Sequence, residues 1–231
     1  MYILGIESSA SISAVCLAEG REPVAEYHFR HDMGLLRRLV PEIENLLQSA
    51  GTDASGLGAV AVSLGPGSFT GLRIGLSCAK AMAYALDIPL VGVPTLKAIA
   101  RNIGCIGEDC RVCSMVFARA DEVYYCIYDH ALNELCGYSI DAVSNVLENP
   151  LFASGTIIFA GSGCRRHKDA ITAAFGKRAL FADIVCDFPR GLSVISLACD
   201  RLERGERDDA AALVPMYIKK PTPVIRKENA K

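Results

Sequence analysis

The chain has 231 residues, 51% of them apolar and 22% charged, with a formal net charge of −2. That length supports one large or two small domains with real cores, and the near-neutral balance argues against unaided nucleic-acid binding, which rests on phosphate neutralisation. No run approaches the roughly 18 apolar residues of a membrane span, and the first residues read as a strand rather than a basic, apolar leader, so the expectation is a cytoplasmic protein with no membrane contact.

Three strands open the chain: Tyr2–Ile6, Ser13–Leu17 and Val24–Phe29, joined by short turns of which Glu19-Gly20 is the clearest. Asp32 is placed to cap a helix running to about Gln48, whose apolar side is marked by Leu36, Leu39, Val40, Ile43, Leu46 and Leu47. Pro41 should kink that helix or mark a restart. The run Ala59–Leu64 reads as a buried strand.

Residues 65–75, Gly-Pro-Gly-Ser-Phe-Thr-Gly-Leu-Arg-Ile-Gly, follow as a strand-to-helix turn. Gly65 and Gly67 permit positive φ and close backbone approach, Pro66 stiffens the turn, and Ser68 or Thr70 can cap the next helix. Such a helix start can hold an anion, but the Lys-Ser/Thr pair of a Walker loop is missing. The helix continues to Leu86, before Asp87-Ile88-Pro89, and carries Gly71, Gly75, Ala79 and Ala83 at four-residue intervals. This stripe of minimal side chains has two readings: tight packing on the chain's own sheet, or a helix-to-helix interface with another chain.

The strand Leu90–Val93 completes a first unit. A second unit opens with Val112–Ala118 and Val123–Tyr128, a hairpin turning through Arg119-Ala120-Asp121, and continues with a strand at Thr156–Ala160 and helices near 163–175 and 190–204. No periodicity follows Pro215.

The segment Ile3-Leu-Gly-Ile-Glu-Ser-Ser9, the eleven-residue glycine turn with its Phe69, Thr70 and Arg73, and Ile88-Pro-Leu-Val-Gly-Val-Pro-Thr-Leu96 together resemble the TsaB (YeaZ) family. The likeness is dense over the first 95 residues or so and thins afterwards to Arg119–Tyr125, Gly161-Ser-Gly163 and Pro215–Ile218. It implies an α/β fold of two actin-like (ASKHA, RNase H-like) domains with mixed sheets flanked by helices, an N-terminal one over residues 1–97 and a smaller C-terminal one with a basic tail over 98–231. It also implies a part in making threonylcarbamoyladenosine in tRNA. The family role is a non-catalytic scaffold that pairs with the transferase TsaD and, through that pair, with the ATPase TsaE; tRNA is met only within the complex. The N-terminal helices, here Leu36, Leu39 and Val40 with Gly71, Gly75, Ala79 and Ala83, would form the contact, and the same surface would support a homodimer when the partner is absent.

In TsaD the strand after the glycine turn leads to a His-x-x-x-His pair that holds a metal. Here Val93-Pro-Thr-Leu-Lys-Ala-Ile-Ala100 has no imidazole, and its side chains offer nothing better than a weak hydroxyl to a transition metal. His28, His31, His130 and His167 are scattered. A metal-dependent peptidase or transferase is therefore disfavoured. An actin-like phosphotransferase or ATPase is the other rival, because Glu7-Ser8-Ser9 and Gly161-Ser162-Gly163 stand where such enzymes place an acid, a phosphate hairpin and an adenosine-side loop. Both segments read equally as ordinary turns. No cofactor is expected for the isolated chain, although the resemblance leaves room for ATP or ADP at a junction shared with the partner.

Ten cysteines in a chain without leader or small-domain character read as reduced thiols. Cys105, Cys110 and Cys113 have a metal-like spacing, yet Cys113 falls in an apolar run where a buried thiol is ordinary. Basic residues gather at Arg165, Arg166, His167 and Lys168 and again at Lys219, Lys220, Arg226, Lys227 and Lys231; they are solvated surface or phosphate contacts to tRNA.

Overall fold

The computed structural model describes residues 1–30, 34–104 and 106–218. Its first sheet holds β1 (Tyr2–Glu7), β2 (Ile12–Glu19), β3 (Glu22–Arg30), β4 (Leu57–Gly65) and β5 (Leu90–Pro94) in the order β3-β2-β1-β4-β5. β1, β2 and β3 pair antiparallel, whereas β1–β4 and β4–β5 are parallel. Helix α1 (Leu35–Ser49) and helix α2 (Phe69–Leu86) cover one face through Leu39, Ile43, Leu46, Leu76, Ala79 and Ala83. With both faces covered, the central strands are apolar on both sides rather than alternating, which is why Ile3, Leu4 and Ile6 are all buried.

The second sheet repeats the plan. It contains β6 (Cys110–Arg119), β7 (Glu122–Tyr128), β8 (Ser139–Ala142), followed by the short helix α4 (Val143–Leu147), β9 (Thr156–Ala160) and β10 (Ala179–Phe181), with the strands in the order β8-β7-β6-β9-β10. Each sheet is thus a three-stranded meander followed by two parallel strands on the far side of its first strand, the duplicated arrangement of actin-like proteins. Helix α3 (Thr95–Arg101) joins the sheets, and its Leu96 and Ala100 pack with Val112, Cys126 and Tyr128 of the second.

Although the two sheets lie on either side of residue 97, the packing crosses back. Helix α7 (Gly191–Glu203) covers the other face of the first sheet, where Val194, Ile195, Leu197 and Ala198 meet Ile3, Cys16, Ala59 and Ala61. The segment after it stays there: Arg201 forks onto Asp208 at 2.8 and 3.0 Å, and the Asp208 carboxylate accepts the Gly92 N–H at 2.7 Å. The Met216 N–H donates to the Leu64 carbonyl at 2.7 Å, and Arg73 Nε donates to the Tyr217 hydroxyl at 3.1 Å. The C-terminal stretch through Tyr217 is therefore a strap over β4 and α2, held by backbone and polar bonds that leave no periodic trace in the sequence.

Other departures are local. The α1 N-cap is Gly34, with no side-chain cap bond, and Asp32 lies outside the described residues. The helix runs unbroken through Pro41, whose exposed position turns the lost backbone bond toward solvent. The expected helix at 163–175 is two helices, α5 (Ser162–Arg166) and α6 (Lys168–Phe175), parted at His167 where ψ reaches 24°.

Candidate functional site

The β1–β2 turn brings Glu7, Ser8 and Ser9 to the end of the first sheet, where all three are buried. Glu7 Oε1 accepts the Ser9 N–H at 2.6 Å and also the Ser9 hydroxyl, while Oε2 has no hydrogen-bond partner among the described residues. Burial pushes the Glu7 carboxyl up to about 7, against the partial offset of the Ser9 and Ser63 hydroxyls. At neutral pH this acid is therefore close to half protonated.

The glycine turn closes directly on these serines. The Ser68 N–H donates to the Ser9 carbonyl at 2.7 Å, and a Cβ built on Gly67 would lie 2.3 Å from the same oxygen. Ser68 also caps α2, its hydroxyl accepting the Gly71 N–H at 3.2 Å. A Cβ on Gly71 would fall 2.1 Å from the Ser8 carbonyl, and one on Gly75 2.1 Å from the Ser8 hydroxyl. Ala79 and Ala83 continue the line into the core. The small-residue stripe is thus turned onto β1 and the Glu7–Ser9 turn of its own chain, and its four residues are not offered to a second chain. The glycines are required because a backbone turn lies on the helix.

The opposite wall of the cleft comes from the second sheet. Gly161 (φ +104°) lets the chain pass beneath the Met115 carbonyl, where a Cβ would sit at 2.2 Å, and Gly163 packs onto Met115 and Val123. The Gly161 N–H donates to buried Asp187 at 2.9 Å, and the Arg165 guanidinium pairs with the same carboxylate and with the Ala182 carbonyl. Between the walls is a cleft of about 440 Å³ lined by residues including Ser9, Ser68, Thr95, Phe117, Ser162 and Asp187. Thr95 is buried, with its hydroxyl unpartnered among the described residues. Sequence reasoning singled out the glycines of this wall but not Asp187, for which a lone Asp-Phe-Pro gives no signal.

A second concavity, about 550 Å³, lies between α1 and α2 and is apolar. Leu39, Ile43 and Leu47 form its floor, Ile74, Ser77, Cys78, Ala81 and Met82 its α2 wall, and Arg73 its rim. Leu36 and Val40 stand beside it 73% and 49% exposed. Phe69 and Arg73 extend this rim: the guanidinium lies 4.0 Å over the Phe69 ring, which meets Tyr217 of the strap at 5.3 Å. Of the residues named for a partner surface, Leu36 and Val40 are exposed and Leu39 underlies them. On α2 the groove is lined by Ile74, Ser77 and Ala81, on the face away from the glycines, a set legible from its own helical spacing.

The remaining candidates are dispersed. Cys113 is buried in the second sheet's core, its thiol held well above the usual range by burial and neighbouring cysteines. Cys105 lies outside the described residues, and among the described ones no three His, Cys, Asp or Glu side chains come together to hold a metal ion. In the first basic cluster Arg165 is committed to Asp187, Arg166 lies over Phe117 and Lys168 over Phe181. The tail cluster from Lys219 onward lies outside the described residues. No described helix is long and apolar enough to cross a membrane.

Comparison with known proteins places these features in a lineage. Residues 34–225 match the family model described as TsaD, tRNA N6-adenosine threonylcarbamoyltransferase. The chain is 28% identical to the Escherichia coli tRNA threonylcarbamoyladenosine biosynthesis protein TsaB over 95% of each. It is 33% identical to an uncharacterized Mycobacterium tuberculosis protein over 80% of this chain and 74% of that one. The solved structure of YeaZ from Pseudomonas aeruginosa superposes with a TM-score of 0.78 at 27% identity, covering 94% of this chain and 99% of that one. With the glycine turn, the duplicated sheets and the full-length match in agreement, this chain belongs to the TsaB (YeaZ) family of tRNA threonylcarbamoyladenosine biosynthesis proteins.

Proposed function

We propose that this chain is a non-catalytic interaction subunit in tRNA threonylcarbamoyladenosine synthesis, docking a TsaD-type transferase on the α1–α2 groove and, through that pair, working with TsaE. The observation that carries the non-catalytic part is the bond from Ser68 N–H to the Ser9 carbonyl. That bond spends the Ser68 N–H and the Ser9 carbonyl on each other, so the start of α2 offers one donor fewer to a phosphate in the cleft. The segment Val93–Ala100 adds no imidazole for a catalytic metal.

The partner part is supported by the groove. Leu36 and Val40 expose apolar surface beside an apolar floor, the composition of an interface centre rather than of a solvated helix. A second copy of the chain uses the same groove when the transferase is absent. Nucleotide, where the complex uses it, sits at the junction with the partner. The site of action is the cytoplasm, and tRNA is met within the complex.

Reconstitution tests this reading. With tRNA, threonylcarbamoyl-adenylate, TsaD and TsaE, omission of the chain should abolish modification, and the chain alone should give none. Modification by the chain alone would refute it.

A further inference from the structure

Away from the cleft and the groove, two thiols face each other at the end of β7. The bridge between Tyr128 and Glu134 and the 2.8 Å bond from the Leu135 N–H to the Ile127 carbonyl pair the strand end with the returning chain. Beyond it the register shifts, because β7 pairs Tyr125 with Ser139, and Cys136 lies in the intervening bulge beside Cys126. The Cys126 Sγ lies 3.2 Å from the Cys136 carbonyl, and the Cys136 Sγ accepts the Ile127 N–H at 3.3 Å. Each sulfur thus touches backbone at or next to the other cysteine, the proximity that a disulfide between them requires.

The two thiols also differ in a useful way. Cys126 is buried and Cys136 half-buried, so only the latter is open to a solute. The adjacent Cys126 thiol and the Ile127 N–H outweigh burial and hold Cys136 below the usual thiol value, whereas Cys126 is held above it. The half-buried Cys136 is then the readier of the two to form the thiolate, the reactive form. Cys113 and Cys164 are also neighbours, with the Cys164 Sγ 3.7 Å from the Cys113 carbonyl, but both are fully buried.

We propose that Cys126 and Cys136 form a reversible dithiol–disulfide pair that responds to hydroperoxides. The Cys136 thiolate attacks the peroxide; the S–O bond forms as the O–O bond breaks, and the leaving oxygen takes a proton to depart as water or alcohol. The sulfur supplies the electron pair and becomes a sulfenic acid. Cys126 then attacks that sulfur, the S–S bond forms, the S–O bond breaks, and hydroxide leaves as water with the Cys126 proton. A dithiol reductant reverses the bond by exchange.

The bridge would pin the loop between β7 and Cys136 to the strand. That loop carries Glu134, whose carboxylate reaches Lys97 of α3 at 3.7 Å, and Leu132, which packs in the cluster with Leu96 and Ala100. Oxidation would therefore act beside the helix that joins the two sheets.

The test is hydrogen peroxide titration of the reduced full chain, followed by alkylation and peptide mapping. A disulfide linking Cys126 to Cys136 should appear first, with the other thiols still alkylated, and dithiothreitol should restore both. Cys126→Ser should leave Cys136 as a sulfenic acid that dimedone captures, and Cys136→Ser should cut oxidation at Cys126 at least tenfold. If Cys126→Ser does not fold, mapping of the unaltered chain and of Cys136→Ser, changed at the half-buried position, still decides. The proposal is overturned if Cys126 and Cys136 both remain alkylatable when another thiol has been consumed, or if folded Cys126→Ser captures no dimedone.

Discussion

Ser68 donates its backbone N–H to the carbonyl of Ser9 at 2.7 Å, tying the glycine turn to the first hairpin along one wall of the cleft. The same hairpin lies on α2, so Gly67, Gly71 and Gly75 each face a serine of that turn rather than open space. The most conspicuous motif in the sequence is therefore a packing device that fixes the hairpin against the helix.

Gly75 gives a test in two steps. Gly75→Ala places a methyl against the Ser8 hydroxyl and should destabilise the fold by about 1–3 kcal/mol of overpacking, reduced by up to about 1 kcal/mol of helix propensity. Ser8→Gly in the same chain removes the obstacle and should recover most of the loss in a denaturant melt. Gly71→Ala meets the Ser8 carbonyl instead, which no side-chain change removes, so Ser8→Gly should not rescue it.

Glu7 makes stability depend on pH. Its folded value of about 7 lies above the ordinary 4.5, so the folded chain binds a proton more tightly than the unfolded chain. That contribution is fully present below about pH 4.5 and is lost as pH rises through 7, a change on the order of 3 kcal/mol. Glu7→Gln keeps an acceptor for Ser9 without the titration. Compared with the unaltered chain, it should melt higher at pH 8 and within about 0.5 kcal/mol at pH 4.5, with modification in the assembled system changed less than about tenfold, or 1.4 kcal/mol. Lower stability of Glu7→Gln at pH 8 would contradict the buried-acid account.

Arg165 separates structure from tRNA contact. Asp187 is 3% exposed and relies on the Arg165 guanidinium and the Gly161 N–H. Arg165→Met leaves that carboxylate without its counter-charge and should cost about 3–5 kcal/mol. Lys168→Met should shift the melt by less than about 0.5 kcal/mol, since exposed cations contribute little. Equal small effects of the two changes would return Arg165 to the list of surface cations.

Much of the first sheet was legible because its signals are local: apolar runs at Ile3–Ile6 and Ala59–Leu64, Gly20 at a turn, and a glycine-rich strand-to-helix junction. The strands β8 and β10 were not, since four and three residues cannot display a period. Nor was the strap through Tyr217, which backbone bonds hold. The α2 stripe could not be assigned to core or interface from small residues alone, because close approach to a sheet and to another helix ask for the same side chains. What decides it is Ser8, which arrives on a hairpin distant in the chain. Leu36 and Val40 share the apolar side of α1 with Leu39 and Ile43 in the sequence pattern, and packing buries the latter two while leaving the former exposed beside the groove.

The central claim, that the α1–α2 groove is where this subunit meets its partner, is tested most directly by sedimentation of the Leu36→Glu, Val40→Lys double variant with TsaD. Both positions are exposed, and no acidic residue occupies the first turn of α1. An acid there and an i,i+4 Glu–Lys pair suit the isolated helix, so the melt should stay at or slightly above that of the unaltered chain. The account predicts that affinity for TsaD and self-association each fall at least tenfold, about 1.4 kcal/mol, with tRNA modification falling in parallel. Unchanged binding by a variant that melts normally would contradict it.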